Sequence, residues 1–177
     1  FSSIVNSGCL VEENRLVRDG NSYSIDFEDF EKKCKDEKVT VFVLCNPHNP
    51  AGRVWTADEM AKMNEICRRN GVKVIADEIH CEIVMPGYKY IPFASVSDDC
   101  LANSVTLLSP TKGFNIAGLQ IANIVCSDEI VRKRINRAIN INEVCDVNPF
   151  GVVALQAAYN ESADWLDQMN AYVYDNY

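Results

Sequence analysis

Thr40-Val41-Phe42-Val43-Leu44-Cys45 runs directly into Asn46-Pro47-His48-Asn49-Pro50-Ala51-Gly52. The first six residues are β-branched or apolar at nearly every position. A strand with one wet face alternates polar and apolar side chains, whereas a strand covered on both faces has no need to. The run therefore predicts a strand inside a parallel sheet, buried on both faces. The seven residues that follow carry two prolines and a glycine, so they predict a rigid turn, with either Asn-Pro bond open to the cis form.

The same succession recurs. Val72 to Ala76 is a buried strand that ends at Asp77-Glu78-Ile79-His80. Ser104 to Leu108 is another, ending at Ser109-Pro110-Thr111-Lys112-Gly113-Phe114-Asn115, and Ile121 to Cys126 is a fourth. Helical patterns lie between and after them. Asp26 caps a helix with Phe27, Phe30 and Cys34 on one face. Thr56-Ala57-Asp58-Glu59 is a capping box opening a helix with Ala57, Met60, Met63 and Cys67 inward, stopped near Asn70-Gly71. Ser127 caps a basic helix. Pro149 stands in the first turn of a helix running through Tyr159, and Ser162 starts the last helix. The stripe Trp165, Leu166, Met169, Tyr172 and Val173 predicts core or domain-interface packing. Alternating strands and helices predict an α/β sandwich: a mainly parallel sheet with helices on both faces.

With 177 residues, the chain is long enough for one domain with a substantial core. Its 25 acidic against 17 basic residues argue against general nucleic-acid binding. The densest basic run, Arg132-Lys133-Arg134 with Arg137, is interleaved with apolar residues and reads as a solvated helix face. Cysteines stand at 9, 34, 45, 67, 81, 100, 126 and 145 with no C-x-x-C pair. They read as small core residues in a reducing compartment, hence a cytoplasmic protein. No apolar stretch approaches the ~20 residues of a membrane span. The start, Phe1-Ser2-Ser3-Ile4-Val5, has neither a methionine nor a charged leader, as expected of a chain cut from something longer.

In parallel α/β sheets, ligands bind beyond the carboxyl ends of the strands. That brings three segments to one crevice. Asp77 emerges straight from the core, where a carboxylate needs a cation or several donors. A protonated pyridine nitrogen would be such a partner, and a turn or cap aspartate is the other reading. Lys112 suits Schiff-base formation with an aldehyde; the other reading is a solvated loop lysine. Ser109 offers a hydroxyl to a phosphate, and Asn49 offers an amide to a phenolate oxygen or serves only the turn. His80 and Cys81 with His48 lack zinc spacing, and no metal is expected. An amine, a carboxylate and an amide at three strand ends are what holding pyridoxal phosphate requires.

Together the segments resemble the aminotransferase class I/II family of pyridoxal-phosphate enzymes. The match consists of Asn46 to Trp55, Asp77 to His80 and Ser109 to Asn115, in order and at fitting spacing, and it runs over essentially the whole chain. Asn-Pro-His-Asn-Pro with Asp-Glu-Ile-His is most similar to the MalY/PatB branch, the cystathionine β-lyase-like C–S lyases. The resemblance implies the aspartate aminotransferase-like, fold type I large domain in part. Residues 1–145 would belong to the cofactor domain, and residues 146–177 would lead toward a small C-terminal domain. It implies that Lys112 is the Schiff-base lysine and acid/base, and that Asp77 partners the pyridine nitrogen. Asn49 would bond the 3′ oxygen and Ser109 the phosphate. His80 would stand where many aminotransferases have a ring-contacting tyrosine, and Gln120 where many have a phosphate-binding arginine.

The implied activity is β-elimination on a sulfur amino acid such as cystathionine, giving thiol, pyruvate and ammonia. Transamination is the alternative, and the aminotransferase-like sensor domain of a transcription regulator is an alternative of another class. A homodimer is implied, and the isolated segment is expected to bind cofactor weakly and turn over little substrate.

Overall fold

The computed structural model of the chain describes residues 2–144 and 146–177, so Phe1 and the thiol of Cys145 lie outside the described residues. In chain order the elements are α1 (Ser2–Asn6), β1 (Val17–Asp19), β2 (Ser22–Ser24), α2 (Phe27–Cys34), β3 (Val41–Cys45), α3 (Ala57–Arg69), β4 (Lys73–Asp77), α4 (Asp98–Asn103), β5 (Ser104–Leu108), β6 (Asn123–Val125), α5 (Glu129–Ile141), α6 (Pro149–Glu161) and α7 (Ala163–Asp175). Short 3-10 turns stand at Phe93–Ser95 and Ala117–Leu119.

β3, β4, β5 and β6 lie side by side in that order. The first three are parallel, and β6 runs antiparallel to β5. The connection from Leu108 to Asn123 contains only a 3-10 turn. Without a crossover helix the chain returns in the opposite direction. The hairpin of β1 and β2 turns at Gly20, whose φ is +56°. Its strands are too short and too exposed to carry a hydrophobic pattern.

Local signals placed most helix ends. Asp26 accepts the Asp29 amide at 2.9 Å. Thr56 and Glu59 form the reciprocal box at the start of α3. At α5 the cap is Asp128, not Ser127. Its carboxylate accepts the amides of Ile130 and Val131 at 2.9 and 3.1 Å, while the Ser127 hydroxyl donates to the Leu101 carbonyl at 3.0 Å.

One face of the sheet is packed. Phe30, Leu44, Trp55, Met60, Met63, Val72, Val74, Ala76 and Phe93 form a continuous core with α2, α3 and α4. The other face is not. Val41 and Val43 are 47% and 46% exposed. With Ile75, Val105, Leu107 and Ile124 they form an apolar surface, and α5 brings Ile135 to its edge. The strand expected to be buried on both faces is thus covered on one by the described residues. The α7 stripe is only partly covered: Trp165 stacks on Phe114 and Leu166 and Met169 are half-buried, while Tyr172 is exposed and no residue of the helix is fully buried.

Four cysteines, at 34, 67, 100 and 126, are buried, Cys45 and Cys81 are half-buried, and Cys9 is exposed. All seven described thiols are free. Among the described residues, no helix is long and apolar enough to cross a membrane.

Candidate functional site

Three parallel strands end together. Asp77 pairs with Cys45 on one side and Leu107 on the other. Two further backbone bonds extend the register beyond the strands: Asn46 N–H to the Asp77 carbonyl and Glu78 N–H to the Leu107 carbonyl, both 2.9 Å. The three motif segments therefore leave one edge of the sheet.

The first segment is a tightly tied loop, and both of its Asn-Pro bonds are cis. Asn46 is fully buried. It donates to the Ile91 carbonyl at 3.0 Å and accepts the Trp55 amide at 3.3 Å. The His48 amide donates to the Arg53 carbonyl at 2.6 Å, and the Gly52 amide donates to the His48 carbonyl at 2.8 Å. Gly52 has a φ of +65°, which closes the turn at no steric cost. Asn49 is left exposed at the tip. Its side-chain nitrogen stands 3.4 Å from Nε2 of His80, joining the first segment to the second.

His48 is turned elsewhere. Its ring meets Trp55 edge-on at 6.0 Å, and Nδ1 is buried without a hydrogen-bond partner. Burial lowers its pKa. Among the described residues, no group of three or more His, Cys, Asp or Glu side chains is arranged to hold a metal ion.

Strand alternation splits the neighbouring acids Asp77 and Glu78. Glu78 enters the packed side and is fully buried. It accepts the Phe93 amide at 2.7 Å and the Tyr90 hydroxyl. Burial pushes its carboxyl pKa up, and those two donors hold it back in part. Asp77 lies on the open side, half-buried. It accepts one long bond, from the Ile79 amide at 3.3 Å, and no ion pair reaches it among the described residues. Most of its acceptor capacity is unused.

The third segment turns sharply, with the Phe114 amide on the Pro110 carbonyl at 2.9 Å and the Ile116 amide on the Thr111 carbonyl at 3.1 Å. Lys112 is exposed on this turn. Ser109 points inward: it is buried, and its hydroxyl donates to the Ile121 carbonyl at 2.6 Å. Thr111 sits on it, with Oγ1 2.8 Å from Ser109 Oγ and its amide donating to that oxygen at 3.2 Å. Gln120 is exposed with a φ of +49°.

The fold thus brings Asn49, Asp77, His80, Ser109 and Lys112 to one edge, with the Ser109 hydroxyl committed to the backbone. The sequence reading missed three contributors. Glu78 and Tyr90 tie down the strand end, and Glu82 packs on Gly113, the residue after Lys112. The acid of the Asp-Glu pair was a visible signal for Glu78. No spacing rule reports a contact between residues 82 and 113.

Comparison with known proteins identifies the family and the fold. Cystathionine beta-lyase PatB of Bacillus subtilis is 41% identical over 176 residues, covering 99% of this chain and 46% of that protein. Protein MalY of Escherichia coli is 32% identical over 162 residues, covering 91% of this chain and 41% of its own length. The crystal structure of a pyridoxal-phosphate-bound C-S lyase from Staphylococcus hominis superposes with a TM-score of 0.92 at 38% identity, covering 99% of this chain and 44% of that one. The chain therefore spans under half the length of these relatives. The model of the family described as aminotransferase class I and II matches residues 7–177, and the chain belongs to that family.

Proposed function

We propose that this chain is the central part of the cofactor-binding domain of a pyridoxal-phosphate-dependent C–S lyase. The whole enzyme would perform β-elimination on a sulfur amino acid such as cystathionine, releasing thiol, pyruvate and ammonia. The observation that carries the reading is the register of β3, β4 and β5, which delivers Asn49, Asp77 and Lys112 to one edge. The relatives named above support a lyase.

The residues fit the cofactor. Asp77 has unused acceptor capacity at the strand end, suited to a pyridine N–H. Lys112 has an amine free of hydrogen bonds and ion pairs among the described residues. Asn49 has an exposed amide for the 3′ oxygen, steadied by His80. Ser109 would reach a phosphate only by rotating its hydroxyl away from Ile121. The phosphate is therefore assigned jointly to that hydroxyl and to the neighbouring Thr111.

When bound, pyridoxal phosphate supplies an electron sink for the pair released at the substrate α-carbon. Lys112 anchors the group and then moves the α-proton. Asp77 holds the proton on the ring nitrogen. His80 keeps the Asn49 amide aimed. A small sulfur amino acid is the substrate class, and residues outside this chain complete its site. We further place the protein in the cytoplasm as a homodimer, with 1–145 in the large domain and 146–177 leading toward a smaller one. Seven free thiols and the uncovered apolar surfaces support that placement.

The test is to reconstitute the full-length protein with pyridoxal phosphate, supply cystathionine, and assay pyruvate against keto-acid product. Thiol and pyruvate release that disappears in Lys112→Ala supports the reading. Amino-group transfer to a keto acid would assign it to the transaminases instead.

A further inference from the structure

The Asn49 side chain is held to its surroundings by a single long contact, 3.4 Å to His80. Its aim is therefore set by the turn that carries it. That turn closes where His48 and Arg53 pair as an antiparallel bridge. The His48 amide donates to the Arg53 carbonyl, and the Gly52 amide donates back to the His48 carbonyl. Residues 49–52 are the tip above this closing pair, so whatever fixes Arg53 fixes the base on which Asn49 stands.

Arg53 is fixed from three directions. Its guanidinium donates through Nη1 to the Tyr23 carbonyl of β2 and through Nη2 to the Glu59 carboxylate in the first turn of α3. Its Cζ stands 4.4 Å from the centre of the Trp55 ring, a cation over an aromatic face. Trp55 is itself buried and donates from Nε1 to the Cys45 carbonyl at 3.0 Å, at the end of β3. The Arg53 and Glu59 side chains are each only 22% exposed, so water competes weakly for their ion pair. The other titratable group at this base is His48, whose pKa is lowered by burial, which leaves Glu59 as the charge that Arg53 faces. A guanidinium can serve two separate acceptors and cover a ring at once, which a single ammonium nitrogen cannot. A surface turn is thereby tied to a hairpin, a helix and a strand end together, and what the turn presents is Asn49.

We propose that Arg53 is a positioning residue for Asn49: by anchoring the base of the 48–53 turn to Tyr23, Glu59 and Trp55, it holds the Asn49 amide where it meets the 3′ oxygen of pyridoxal phosphate. The inference rests on the assignment of Asn49 to that oxygen.

The test uses the full-length protein loaded with pyridoxal phosphate and reads the pH midpoint of its visible absorbance band. An amide donating to the 3′ oxygen favours the deprotonated, more negative form, so losing that donor raises the midpoint. Asn49→Ala is expected to raise it by about one unit, and Arg53→Gln by about half a unit. Arg53→Lys keeps the charge beside Glu59 but not the fork, and is expected to move the midpoint in the same direction. Combined with Asn49→Ala, neither Arg53 variant is expected to add a further shift, because the group through which Arg53 acts is already gone. Thermal denaturation checks that each protein is folded, and Arg53→Lys carries the test if Arg53→Gln is not. A midpoint unmoved in the folded Arg53 variant while Asn49→Ala moves it overturns the inference and leaves the Asn49 assignment intact. An Arg53 shift that adds in full to that of Asn49→Ala overturns it as well, since Arg53 would then act by another route. A midpoint unmoved by Asn49→Ala itself overturns the assignment of Asn49 and the inference with it.

Discussion

On one face of the sheet, Leu44, Val74 and Ala76 lie beneath Met60, Met63 and Phe93, all nearly or fully removed from water. On the other, Val41 and Val43 of the same β3 strand stay about half exposed. The neighbouring acids follow the same division. Glu78 turns into the packed side and receives two donors, and Asp77 turns to the open side and receives one long bond. Buried polar groups must be satisfied internally. A group left with spare acceptors beside an open surface is available to a ligand. The packed face holds the strands still, and their open edge keeps the spare polar groups.

This contrast can be broken most decisively at Lys112. Lys112→Ala in the full-length protein is expected to reduce pyruvate formation from cystathionine by roughly 10³-fold, with thermal stability nearly unchanged. A large loss of stability would make Lys112 part of the packed structure. Next in size is a paired substitution across the sheet. Met63→Ala removes a fully buried side chain and is expected to cost about 3 kcal/mol in denaturant unfolding of the 177-residue chain. Val43→Ala in the same chain is expected to cost about 0.5 kcal/mol or less. Equal costs would mean that the two faces are packed alike.

Thr56→Ala removes the reciprocal cap of α3, the helix that covers the packed face, and is expected to cost about 1 kcal/mol. The smallest effect is a tilt with pH. The folded-state pKa of Glu78 is raised above its ordinary value of 4.5. The stability that its protonated form contributes is present below that value and is lost as pH rises through the folded-state pKa. Glu78→Gln stays neutral throughout. The melting temperature of the variant is therefore expected to gain on that of the wild type as pH rises above 4.5. A difference independent of pH would show that Glu78 is not strained by burial.

Much of this was legible in the chain. The caps at Asp26 and Thr56 and the strands at 41–45, 73–77 and 104–108 follow from local rules of residue type and spacing. The segments at 46–52, 77–80 and 109–115 were legible as polar strand ends because each interrupts an apolar run with polar groups, and the structure brings all three to one edge of the sheet. The direction of β6, the α5 cap at Asp128 and the inward Ser109 hydroxyl were not. Each depends on which of several competent partners the fold brings nearest. Asp128 outcompetes Ser127 because its carboxylate reaches two amides at once. Ser109 turns inward because the Ile121 carbonyl stands 2.6 Å away.

The sequence by itself determined the alternation of strands and helices, the three polar segments and the family to which they belong, because those follow from period, propensity and short-range order. Tertiary structure alone decided that Asp77 and Glu78 face opposite sides and that one sheet face stays open. It also decided that Glu82 reaches Gly113 across the chain, since contacts between distant residues are set by packing in three dimensions and leave no periodic trace.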